Sequence, residues 1–143
     1  MAHVSLDGLI RFGNLSDLET MDLIAPMEKN GYLVLQADAL RECSRIAFTK
    51  IAYLMPETQY DAFAKIIEDP EASEYDRFVA SCLLENALIS GKRRYPICQD
   101  TGTALVYGWR GDRIEIEKNI DLEELLVQGA AQAWTQEKLR NSQ

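Results

Sequence analysis

A cysteine, an amide, a carboxylate and a hydroxyl stand at four consecutive positions, Cys98, Gln99, Asp100 and Thr101. A lone loop thiol can be a nucleophile, a metal ligand or a bystander. Nucleophilic use wants a histidine to take the proton, and the only histidine is His3, far away in sequence. His3 itself reads as an ordinary surface group near a terminus. Gln99 offers an amide fork for a carboxylate, and Asp100 can accept or relay a proton. Thr101 reads as a loop hydrogen-bonder. The other two cysteines, Cys43 and Cys82, fall inside apolar helical stripes, where a free cysteine packs as a small hydrophobe. They have no Cys-x-x-Cys spacing, so the sequence does not assemble a metal cluster from its own three cysteines.

The groups at 98–101 must be held by a loop between a helix and a strand. Pro96 fixes its own φ and pushes Tyr95 out of the helical region, while Gly102 can take a positive φ. Ala104 to Tyr107 reads as a short buried strand. Upstream, Leu40, Cys43, Ala47, Ile51 and Leu54 recur at three- and four-residue steps, which predicts a helix from Ala37 to Met55 that Pro56 ends. A second helix is expected from about Glu57 to Glu68, with Tyr60, Phe63, Ile66 and Ile67 inward and Pro70 closing it. Ser73-Glu74-Tyr75-Asp76 reads as a capping box opening a third helix. Phe78, Cys82, Leu83 and Asn86 trace its inner side, and Gly91 is its natural stop.

Downstream, Ala104 to Trp109 and Arg113 to Glu117 are expected to make two short strands around the turn at Arg110-Gly111-Asp112. Asp121 with Glu124 caps a last helix, whose buried stripe runs through Leu122, Leu125, Leu126, Gly129, Ala130 and Ala133. Gly129 and Ala130 permit close packing there. Residues 1 to 36 keep no clean period, although Tyr32 to Leu35 after Asn30-Gly31 reads as a strand leaving a turn. The expected class is α+β, predominantly helical, with helices packed around a short strand or hairpin element that follows the loop.

The bulk properties bound the function. A chain of 143 residues fits one domain with a real core. Its net charge of −8 speaks against a nucleic-acid partner, and Lys92-Arg93-Arg94, its one basic cluster, reads as a solvated helix end. No apolar run is long enough for a membrane span, and no secretory signal is recognisable. Three cysteines in an acidic chain point to a reducing compartment, hence a cytoplasmic address.

The stretch Pro-Ile-Cys-Gln-Asp-Thr-Gly-Thr-Ala from Pro96 to Ala104 resembles the cluster loop of class I fumarases and their tartrate dehydratase relatives, oxygen-sensitive iron–sulfur hydro-lyases. The resemblance extends to Asp-Pro-Glu-Ala-Ser at Asp69 to Ser73, to Asp-Arg-Phe-Val-Ala at Asp76 to Ala80 and to Leu-Arg-Asn-Ser-Gln at Leu139 to Gln143. It covers at least residues 37 to 143, with a weaker hint at His3-Val-Ser. In that family three cysteine thiolates hold a [4Fe–4S] cluster, and the iron left open acts as a Lewis acid on the substrate. The resemblance implies that Cys98 is a cluster ligand and that Gln99 and Asp100 contact the dicarboxylate, with Asp100 serving in proton transfer. It implies that Arg140 binds substrate, as a guanidinium suits a carboxylate, although a solvated helix-end arginine is the plain alternative.

The family's chain continues past Gln143, and its other two cluster cysteines lie in that continuation. The expectation is therefore a truncated or split piece. It would be the N-terminal part of the cluster-bearing domain, with residues 1–36 as a poorly defined lead-in. It would be inactive alone and a homodimer when complete. The implied reaction interconverts (S)-malate and fumarate, a step of the tricarboxylic acid cycle. A tartrate dehydratase-type fragment changes only the substrate. A helical binding module with Cys98 as a free thiol is the reading from a different class.

Overall fold

The computed structural model describes residues 24–99 and 102–141, so His3, Asp100 and Thr101 lie outside the described residues. Among the described residues, four helices and three short strands follow in the order β1 (Met27–Lys29), β2 (Tyr32–Leu35), α1 (Ala37–Tyr53), α2 (Glu57–Glu68), α3 (Glu74–Gly91), β3 (Ile114–Ile116) and α4 (Leu122–Gln136). Helices predominate, and the class is α+β. The chain falls into two compact units. One contains Ile51–Ile97 and the other contains the described parts of Thr20–Lys50 and Cys98–Gln143.

In the unit built on Ile51–Ile97, α2 packs on α3. Pro56 opens α2 without a side-chain cap, and the chain leaves it at Asp69 in an extended conformation. The capping box of α3 forms as the sequence predicts: the Asp76 amide donates to Ser73 Oγ at 3.1 Å, and the Ser73 amide donates to the Asp76 carboxylate at 3.3 Å. Arg77 then donates to the carbonyls of Asp69 and Pro70 at 2.8 and 3.2 Å, bracing the turn between the two helices.

The buried face of α3 differs from the expected one. Ala80, Leu84, Ala87, Ser90 and Gly91 are buried, while Phe78, Cys82, Leu83 and Asn86 are exposed. The two sets lie two positions apart, about 200° round the helix. Small residues allow the close approach of α3, so its packed face is marked by alanine and serine, not by the largest side chains.

In the other unit, β1 and β2 form an antiparallel hairpin around Asn30-Gly31. Both turn residues have positive φ, 53° and 79°, the geometry whose twist matches that of the flanking strands. The β3 strand pairs in parallel with β2, Val34 opposite Glu115. The hairpin expected between Ala104–Trp109 and Arg113–Glu117 does not form. The turn at Gly111 closes, with Ile114 N donating to Gly111 O at 3.0 Å, but β3 takes its ladder from β2. Ala104–Trp109 therefore has no strand pairing, and Val106 and Trp109 are 54% and 98% exposed. A short apolar run becomes a strand only where a partner supplies the hydrogen bonds.

The α1 stripe also differs. Ala39, Leu40, Ser44, Ile46, Thr49 and Tyr53 are buried, whereas Cys43, Ala47 and Ile51 are exposed. Cys43 and Cys82 are thus surface thiols rather than core residues. The reason is a contact that apolar periodicity does not register. Gly129 of α4 meets α1 so closely that a Cβ there would lie 2.7 Å from Ser44 Cβ, against the carbonyl of Arg41. Ser44 donates its hydroxyl to the Leu126 carbonyl at 2.7 Å across the same contact. A serine and a glycine set which face of α1 turns inward, and Phe48 then meets Trp134 edge-on at 5.5 Å. Asp121 caps α4 as expected, accepting from the Glu124 amide at 3.1 Å.

Candidate functional site

Helix ends build the root of the Cys98 loop. The last carbonyls of an α-helix have no partner within it. At the end of α1, Ala52 O accepts from Ile97 N at 2.8 Å, and Tyr53 O accepts from the buried hydroxyl of Ser90 at 2.9 Å. The Ile97 carbonyl in turn accepts from Asn86 Nδ2 at 2.8 Å. Arg93 sits with its guanidinium 5.7 Å from the centre of the Tyr53 ring and with a φ of 54°, where α3 gives way to the loop. The residue before Cys98 is thus bonded through both its amide and its carbonyl.

Beyond that root, Cys98 and Gln99 are exposed. Gly102 has a φ of 60°, the left-handed conformation that its lack of a Cβ permits. Arg140, also exposed, stands just past α4. The stop of that helix explains its placement. Leu139 N donates to Trp134 O at 3.0 Å and Lys138 N to Thr135 O at 3.4 Å, with Lys138 at a φ of 53°. This is the paired bonding of a Schellman stop, and Leu139 is buried by it. Arg140 follows the residue that the stop anchors.

Among the described residues, no three of histidine, cysteine, aspartate and glutamate come together to hold a metal. Cys98 is the one cysteine in a loop, and the other two lie on helices. Its exposed thiol on a bonded root fits one corner of an iron–sulfur cluster, and the described residues do not complete the set. A hollow of about 630 Å³ lies beside β2 and β3, lined by Glu28, Leu33 and Arg113 among others. A second of about 530 Å³ is lined by Phe63, Tyr75 and Leu83. Neither includes Cys98, Gln99 or Arg140. The apolar stripe predicts an inward Asn86 and does not register its bond to the loop. An amide in an otherwise apolar stripe was the available signal.

Comparison with known proteins defines the class first: the relatives are hydro-lyases that carry the name fumarate hydratase. Residues 41–143 match the family described as fumarate hydratase (Fumerase), and the chain belongs to that family, in its class I branch. It is 42% identical over 105 residues to fumarate hydratase 1, mitochondrial, of Leishmania major, a match covering 73% of this chain and 19% of the relative. It is 34% identical over 128 residues to the anaerobic class I fumarate hydratase of Escherichia coli strain K12, covering 88% of this chain and 23% of the relative. The chain therefore spans about a fifth of the length of these relatives. Among the described residues, no helix is long and apolar enough to cross a membrane.

Proposed function

We propose that this chain is the N-terminal part of the cluster-bearing domain of an iron–sulfur fumarate hydratase, acting in the cytoplasm on a small dicarboxylate. The observation that carries this reading is an exposed loop cysteine in a Cys-Gln-Asp-Thr-Gly setting, its preceding residue bonded to the end of α1 and to a side chain of α3, within a family match over residues 41–143. Cys98 supplies one of three thiolates for a [4Fe–4S] cluster, and the other two come from polypeptide outside these residues. When bound, the cluster supplies an open, Lewis-acidic iron. The chain's own residues bind and orient the substrate. Gln99 directs its amide to one carboxylate, and Arg140 pairs with a carboxylate through its planar fork. Asp100 moves the proton that accompanies loss of hydroxide from (S)-malate, or its addition to fumarate.

On this reading the chain alone is inactive, and the complete enzyme is a homodimer. The test is anaerobic reconstitution with ferrous iron and sulfide, with and without the remaining polypeptide of a fumarate hydratase relative. Visible cluster absorption and dehydration of malate are expected only when both parts are present, and Cys98→Ser abolishes both. A cluster spectrum unchanged by Cys98→Ser would remove the ligand assignment.

A further inference from the structure

We infer that Asn86 is the positioning residue for the Cys98 thiol, acting through the peptide that joins Ile97 to Cys98. Its functional meaning rests on Cys98 being a cluster ligand, as proposed above. The argument begins with covalent geometry. The carbonyl group of Ile97 and the nitrogen and Cα of Cys98 share one plane. A donor that fixes the Ile97 oxygen therefore fixes where the Cys98 Cα lies, and only rotations beyond it remain free. Asn86 Nδ2 is such a donor, at 2.8 Å. The preceding peptide is held too, because Ile97 N donates to Ala52 O at 2.8 Å, and the ring of Pro96 restricts the residue before that.

The division of labour along α3 supports this role. Ser90 lies one helical turn after Asn86. It is 1% exposed and ties α3 to the Tyr53 carbonyl, which is a packing function. Asn86 is exposed, fills no core volume and makes its bond to the loop. Removing its amide leaves no cavity, so the bond serves placement far more than stability. Only a neutral donor suits the position, since an aspartate would set an acceptor against an acceptor. Groups that orient a metal ligand from behind change metal affinity or activity by about tenfold or more when lost.

A nitroxide label on Cys98 reads the placement in the chain itself, with Cys43→Ser and Cys82→Ser removing the other two exposed thiols. Asn86→Ala and Asn86→Asp should sharpen the spectrum through faster label motion, while Asn86→Gln, which keeps the amide, should retain most of the restraint. Melting temperatures should stay within a few degrees of the parent. In the enzyme completed with the remaining polypeptide, Asn86→Ala should lose iron to a chelator about tenfold faster and lower kcat with KM unchanged. Spectra of the Ala and Asp variants identical to the parent would overturn the inference. So would a melting temperature that falls in step with label motion, since that marks a merely structural bond. The ligand assignment fails separately, through a cluster that survives Cys98→Ser.

Discussion

Lys138 carries a side chain in a conformation that suits glycine, with a φ of 53° at the stop of α4. The left-handed region costs such a residue roughly 1–2 kcal/mol. Glycine relieves that cost but adds freedom to the unfolded chain worth roughly 0.5–1 kcal/mol. The relief is the larger, so Lys138→Gly is expected to raise the melting temperature slightly; a fall would mean the lysine side chain contributes more than its backbone costs. Glu42 gives a residue-scale dependence on pH. Its hydrogen bond to Arg45 holds its carboxyl below the usual value of 4.5, with the charges of Arg45 and Arg41 adding to the effect against partial burial. A carboxyl held low in the folded state stabilises above its unfolded pKa and loses that contribution as pH falls through the folded value. The stability difference between the parent and Glu42→Gln should therefore be present at neutral pH and fade as acid protonates the Glu42 carboxyl, read in acid-dependent melting. It will be modest, because the Glu42 side chain is 33% exposed.

At the scale of elements, the contact of α1 with α4 is set by a residue that has no side chain. Alanine at position 129 would gain about 1 kcal/mol in helix propensity. Against that, its Cβ would press on the Arg41 carbonyl and stand 3.0 Å from Arg45 N, and backbone cannot swing aside. Overpacking costs about 1–3 kcal/mol, so Gly129→Ala should destabilise by up to about 2 kcal/mol in denaturant titration. Helix ends were legible in the sequence where chemistry marks them: Pro56, the Ser73–Asp76 box and the Asp121 cap each stand where expected. The inward faces of α1 and α3 were not. Apolar stripes rank positions by size, while Ser44, Ala80, Ala87 and Ser90 pack because they are small or can donate. The strand expected over Ala104–Trp109 failed for a related reason, since an apolar run describes one strand and pairing needs two. In the candidate site, Cys98, Gln99 and Arg140 were legible as residue types, but the bond from Asn86 depends on two distant segments meeting.

For the whole molecule, the notable surface is apolar. Leu105, Tyr107 and Trp109 are 64%, 83% and 98% exposed in one stretch that follows the candidate loop. Apolar surface in such a run commonly marks a place where other polypeptide docks, and the chain spans about a fifth of its relatives' length. Fluorescence offers a direct check. Iodide should quench Trp109 fully and Trp134, half-buried against Phe48, only weakly. Trp109→Phe should then remove most of the quenchable emission; a Trp109 shielded from iodide would contradict the exposure described.

The bonds around Ile97 reach further than the loop. Two of their anchors, Ala52 and Tyr53, belong to the last turn of α1, and a third, Ser90, to the last turn of α3. Terminal turns open at lower free energy than helix centres. Warming should therefore loosen the backbone beneath Cys98 while the helices remain intact, below the temperature at which the protein unfolds.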